Sequence, residues 1–297
     1  MIKLISWLGL IGAAGGFSIM RKRLVFLVCL LSLFSTACAS APKQTTPSQP
    51  KAIEMAQEVD SSAVNKVDNL ILYPEIVKQA WQRSISRCMT EHGFPAREYY
   101  YMPYNESIRE SVSPPPLSVE DVRQNRRYSL TTNTQVLEQN AHLSEQELQT
   151  LRGTNDPSES PSCMSTAMEE IFGSVELGNE YLTVNKRIFM YTSEIPGSSP
   201  MLETYKTWEQ CMRDDYQMSY TSPGNILYQY RSGDIPQDIL IADASCREKV
   251  QFEEHLNHVM NGYMTTFLEQ NQALMERVAQ AKANAEHNAS KILDGSA

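Results

Sequence analysis

The stretch QFEEHLNHVMNGYMTTFLEQNQALMERVAQAKANAEHNASK, residues 251–291, decides the fold. It contains no proline and one glycine, Gly262, and the run into it from Gln237 adds neither. Leu256, Met260, Tyr263, Phe267, Gln270, Leu274, Val278, Ala281 and Ala285 recur at intervals of three and four. That period belongs to a helix with one apolar stripe, so the sequence predicts a single long helix from Gln237 to about Lys291. Such a stripe serves either a helix that packs on its own domain or an intermolecular coiled coil, and the first is the expectation. Past Ala279 the stripe thins to alanines, which predicts a tail that frays or reaches into solvent, with residues 291–297 outside the body.

Working back from that helix, the chain is helical in pieces. Pro74 to His92 places Ile76, Val77, Ala80, Trp81, Ile85, Cys88 and Met89 on one face, with Gly93 as a C-terminal stop. Ser118 with Asp121, and Ser144 with Glu147, read as capping boxes, and Gly153 ends the second helix. A short helix follows Cys163. A longer one runs from about Val175 to Glu194, and Ser199-Pro200 opens the next with proline at its tolerated first position. Residues 98–116 and 219–236 read as loops, the second with a short hairpin. The fold class is therefore mainly α, a disulfide-stapled helical domain with a long C-terminal helix.

At the other end, Arg21-Lys22-Arg23 precedes the apolar run LVFLVCLLSLF at 24–34. A positive cluster, a short apolar run and then small residues is the layout of a secretory signal peptide. Eleven helical residues cover roughly 16 Å, about half a bilayer core. Ser35-Thr36-Ala37 before Cys38 gives the small-small-Cys pattern of a bacterial lipobox, in which Cys38 becomes the acylated N-terminus. Acyl chains such as palmitate anchor stably when more than one is attached. The bland reading is ordinary cleavage near Ala37 or Ala39. Residues 1–19 are a second apolar stretch, either upstream of a true start at Met20 or a glycine-rich transmembrane helix. The expected organisation is leader and lipoprotein signal peptide at 1–37, flexible proline-bearing stalk at 38–51, and helical body at 52–290 with two disulfide-linked halves.

From Cys38 onward 22 basic residues face 35 acidic ones, a net charge of −13. That balance argues against nucleic acid or anionic lipid as the main partner. The expected partners are the membrane, through the anchor, and an envelope protein or cell-wall component; the expected location is the outer face of the cell membrane.

Beyond the anchor lie Cys88, Cys163, Cys211 and Cys246, an even number that in an exported chain reads as two disulfides. Spacing alone leaves three connectivities open. Two segments rhyme, however: WQRSISRCMTEHGF at 81–94 and WEQCMRDDYQMSY at 208–220 each put a tryptophan and Cys-Met on one helix face before a tyrosine-rich loop. Each is followed by a second cysteine near the start of a later helix. On that pattern Cys88 pairs with Cys163 and Cys211 with Cys246.

Trp81 with Cys88-Met89 and Gly93-Phe94, then Arg127-Tyr128, Cys163 with Ala167, Trp208 with Cys211-Met212, and Ala242-Asp243 before Cys246 form an ordered pattern. It resembles that of an uncharacterised family of actinobacterial secreted lipoproteins, over most of residues 75–285. The chain departs from it at Ser129 and Tyr216, where members carry glycine. The resemblance implies a location and no activity.

Chemistry is sparse. His255 and His258 share a helix face, but two ligands without a third hold a metal weakly, and no metal site is expected. No G-x-S-x-G elbow or phosphate-binding glycine loop occurs, so neither a catalytic residue nor a cofactor is expected. The carboxylate pairs Glu169-Glu170, Asp214-Asp215 and Glu253-Glu254 read as solvated helix faces; Asp214 and Asp215 are the ones that could serve a cell-wall hydrolase. A transporter's small-molecule receptor would want a two-lobed α/β pattern. Tyr99, Tyr100, Tyr101, Tyr104, Tyr216 and Tyr220 form the candidate binding surface, because tyrosine in a loop offers an apolar ring and a polar tip; the bland reading is that they cover the disulfides and fill gaps between helices.

Overall fold

A computed structural model describes residues 53–97, 99, 107–113, 117–124, 143–153, 161–232 and 235–295. The leader, Cys38, the stalk to residue 52, Tyr100, Tyr101, Tyr104, Arg127-Tyr128 and His142 lie outside them. The described residues are mainly helical, with no strand among them. In order the helices are α1 (Ala63–Ile71), α2 (Glu75–Glu91), α3 (Ile108–Val112), α4 (Val119–Arg123), α5 (Glu145–Arg152) and α6 (Cys163–Phe172). They continue with α7 (Val175–Thr192), a 3-10 turn (Ile195–Gly197), α8 (Ser199–Tyr216), α9 (Pro223–Ser232), α10 (Gln237–Lys249), α11 (Phe252–Gln270) and α12 (Gln272–Asp294). Residues 51–297 make one compact unit.

The long C-terminal helix is present as α12, 23 residues long, but its expected extent from Gln237 is corrected: that run holds three helices. Gln251 adopts the left-handed conformation at φ 52°, which turns the chain between α10 and α11. Asn271 makes the second break. Its side-chain amide donates to Phe267 O at 2.8 Å and to Tyr191 Oη at 3.1 Å, closing α11, while its own carbonyl accepts from Met275 N at 2.9 Å to open α12. An asparagine amide competing for the backbone interrupts a helix without any proline or glycine to mark the place. The break also shifts the stripe, so that Met275 enters the core where the unbroken repeat assigned Leu274.

The fraying tail is also corrected. Ala281, Ala285, Ala289 and Ile292 are buried, and α12 packs on α1, α2, α6 and α7. Alanine stripes let helix axes approach closely, so the thin stripe marks tight packing. Polar residues of α12 then close its neighbours' ends: Asn284 Nδ2 donates to Phe172 O at 2.9 Å, Asn288 Nδ2 to Ile171 O at 3.1 Å and Lys282 Nζ to Leu72 O at 2.9 Å. Those carbonyls are the ones a helix C-terminus leaves without partners.

Two expected loops contain helices. Ser107 and Glu110 form a capping box that starts α3 inside 98–116, and Pro223 starts α9 inside 219–236. In α9 the apolar spacing of Ile226, Leu227 and Tyr230 holds the helix against its neighbours. Finally, residues 53–60 run as a strap over α11. Ala56 N donates to Gly262 O at 3.3 Å, Asp60 N to Thr265 Oγ1 at 3.0 Å, and Thr266 Oγ1 to Glu54 O at 2.9 Å. A Cβ on Gly262 would lie 2.2 Å from Met55 Cγ, so the one glycine of the stripe is where the strap crosses.

Candidate functional site

Both disulfides join the pairs that the rhyme indicates. Cys88–Cys163 ties α2 to α6 with Cα atoms 5.6 Å apart, and Cys211–Cys246 ties α8 to α10 at 5.7 Å. In the chain-entropy model closures of these lengths contribute about 4.5 and about 3.8 kcal/mol. His92 closes α2, its Nδ1 lying 2.9 Å from Cys88 O, as a histidine at a helix carbonyl end should. With Cys88 and Cys163 it forms the only cluster of three metal-ligand residue types among the described residues. Both sulfurs are bonded to each other, so no thiolate is offered there. His255 and His258 are exposed, and His255 Nδ1 lies 3.4 Å from Thr204 Oγ1.

The tyrosine surface is revised at Tyr99, which is only 2% exposed. Its hydroxyl donates to Pro95 O at 3.0 Å and the Arg97 guanidinium lies 5.3 Å above its ring, so the residue closes the α2 exit. Arg97 is paired in turn with Glu147, the capping residue of α5. Tyr216 and Tyr220 sit where α8 runs out towards α9, with Tyr220 Oη 3.2 Å from Gln229 Oε1. Beside them Asp215, Asp214, Lys249, His255 and Thr207 line an open cleft of about 420 Å³ over Cys211. Lys249 Nζ is 2.6 Å from Asp215, which raises the lysine's pKa, and Asp214 is beside Arg213 at 3.8 Å.

The most organised polar feature was not read from the sequence. Asp243, 1% exposed, accepts from Trp208 Nε1 at 3.1 Å and from Arg247 Nε at 3.0 and 3.2 Å. Arg247 Nη1 reaches Glu253 at 2.8 Å, and Glu253 also holds Arg109 of α3. Glu253 is therefore the half-buried end of a chain of charges, buried at Asp243 and Arg247, that joins α3, α8, α10 and α11, and not part of a solvated face. Burial pushes the Arg109 pKa down, opposed by Glu253. Arg247 lies 4.8 Å over the Phe252 ring, and Tyr205, Phe252, Leu227 and Leu256 wall a cleft of about 370 Å³ above it. Two hints existed: Asp243 and Arg247 stand four apart, and Asp243 is three residues before Cys246 as Trp208 is before Cys211.

What fold and site define together is a disulfide-stapled, mainly α-helical protein. Among its described residues no helix is long and apolar enough to cross a membrane. No family model, curated protein or solved structure matches the chain.

Proposed function

We propose that this chain is a lipid-anchored protein of the outer face of the cell membrane that works by binding another envelope component. The observation that carries the reading is the pairing of a lipobox cysteine, Cys38, with two disulfides in the body behind it. Disulfides persist in oxidising compartments, and a proline-bearing stalk after an acylated cysteine suits a body held off an acidic membrane. Kinship with the actinobacterial lipoproteins belongs to the same proposal. A binding role is supported by where the polar groups go: the buried charges are spent on holding helices together, and Asp214 and Asp215 are exposed and beside cations.

The cleft at Asp214, Asp215 and His255 favours a second reading, a cell-wall hydrolase with one of those carboxylates as its acid/base group. Intact mass of protein purified from membranes, before and after reduction, tests the first reading. An acylated Cys38 and a gain of four hydrogens are expected; an unprocessed chain with Cys88, Cys163, Cys211 and Cys246 all unpaired sinks it. Asp214→Asn with Asp215→Asn decides between binding and hydrolysis, because unchanged cell-wall turnover removes the enzyme.

A further inference from the structure

A cleft of about 880 Å³ lies where the strap meets the break between α11 and α12. One wall is a helical row: Thr265, Leu268, Gln272, Met275 and Ala279 recur at three and four residues across the break. From Thr265 to Ala279 that row extends roughly 21 Å, enough for about six residues of extended chain. Leu70 of α1 and Val59 of the strap form the facing side. Its apolar floor is thus Val59, Leu70, Leu268, Met275 and Ala279, with an adaptable methionine in it and the polar Thr265 and Gln272 beside it.

The rim is mostly acidic, with one cation, Lys66, paired to Asp60 at its edge. Glu58 and Asp60 stand on the strap, Glu269 and Glu276 on the helices, and none of the lining residues is basic. Asp60 is spoken for by Lys66 and Ser62. Glu58, Glu269 and Glu276 are exposed. An apolar floor between acidic walls complements a peptide that carries apolar and basic side chains together, and like charge repels an anionic lipid surface. In an extended segment alternate side chains point opposite ways, so one set can enter the floor while the other meets the rim.

We propose that this groove is the docking site for a basic, apolar-bearing peptide segment of a partner protein. The proposal rests on the binding reading above and names the chemistry of the partner.

The test is fluorescence anisotropy of the oxidised body with a labelled seven-residue peptide alternating lysine and leucine. Saturable binding that weakens with salt, and falls about tenfold in Glu269→Gln with Glu276→Gln, is expected. Leu268→Ala should also weaken it, with the helical circular dichroism spectrum of each variant unchanged. Absence of binding, equal binding by the glutamine variant, or full displacement by spermidine at matched charge each overturns the groove, the last because it reduces the site to a diffuse acidic surface. A photo-crosslinker at Gln272 and another at the exposed Tyr228, used in cells, separate this failure from that of the general reading. If Tyr228 captures a defined envelope polypeptide and Gln272 does not, the groove falls and the binding function stands. If neither position captures one, both fall.

Discussion

Replacing Asp243 with alanine should cost more stability than any other single change to a polar side chain in the body. Asp243 accepts three hydrogen bonds in a place with 1% exposure, and its partner Arg247 is itself only 5% exposed. Removing the carboxylate strands a buried guanidinium, a loss of about 3–5 kcal/mol when one partner of a buried pair goes. It also leaves Trp208 Nε1 without its acceptor, worth about 1–3 kcal/mol. Glu253 still neutralises part of the Arg247 charge, so we expect roughly 4–6 kcal/mol in total, out of a stability of roughly 5–15 kcal/mol for such a domain. Urea unfolding of the oxidised protein, followed by tryptophan fluorescence and circular dichroism, measures it. The decisive comparison is the double variant Asp243→Ala with Arg247→Met. Removing both charges lifts the desolvation penalty, so the double variant should recover about 2 kcal/mol relative to Asp243→Ala. A cost under about 1 kcal/mol for the single variant, or a double variant as damaged as the sum of the singles, would refute the reasoning.

Four other outcomes follow from the same structure. Ala285→Leu should destabilise by about 1–3 kcal/mol through overpacking against α12's neighbours, whereas Ala283→Leu on the exposed face should be near neutral; thermal melts that rank them the other way defeat the account of the tail. Glu147 is held below the usual carboxylate range by Ser144 backbone N–H, the Ser144 hydroxyl and Arg97. Its stabilisation is therefore fully present above the unfolded value of about 4.3 and drains away as pH falls below it; the stability gap between wild type and Glu147→Gln should close in acid, and a pH-independent gap contradicts this. Replacing either cysteine pair with alanines should lower the denaturation midpoint strongly, by up to about 4.5 kcal/mol for Cys88–Cys163 and about 3.8 for Cys211–Cys246, and an unchanged midpoint in either variant removes that staple from the account. Trp208→Phe should cost more than Trp81→Phe by about 1 kcal/mol or more, because Trp81 Nε1 has no acceptor to lose among the described residues; equal costs measured by urea unfolding count against a bonded Trp208.

The helices were legible wherever punctuation and period agreed. Gly93, Gly153 and Gly173 all take positive φ just past the ends of α2, α5 and α6, and Ser118 and Ser144 cap α4 and α5 through the spacing of their acidic partners. What failed to show was any event that leaves hydrophobic period intact while changing the backbone. Asn271 looks like one more polar helix residue until Tyr191, 80 positions away, is seen to accept its amide proton. Gln251 in the left-handed region carries no sequence mark at all. The alanines of α12 misled for a different reason: small side chains read as weak hydrophobicity along the chain, yet they make closeness possible between helices. Buried charges such as Asp243 and Arg247 were hidden because a charged residue is solvated by default, and only its contacts across helices say otherwise.

The two rhyming segments are alike in face geometry and different in what the face meets. Trp81 is 7 residues before Cys88 and Trp208 is 3 before Cys211, and both intervals return a side chain to the same side of a helix. Trp81 packs against Phe172, ring centroids 6.3 Å apart, at the junction of α2, α6 and α12. Trp208 instead donates to a buried carboxylate in a chain of charges. A duplicated unit would be expected to repeat its spacing and its partners, and here only the shared helix face repeats. The physical requirement is enough to explain the rhyme: a helix stapled near its end by a disulfide needs a large apolar group one or two turns back to fix its rotation, and tryptophan supplies the most area per residue. The same requirement met twice, against an apolar wall and against a charge network, gives two staples that look alike in sequence and hold the body by different physics.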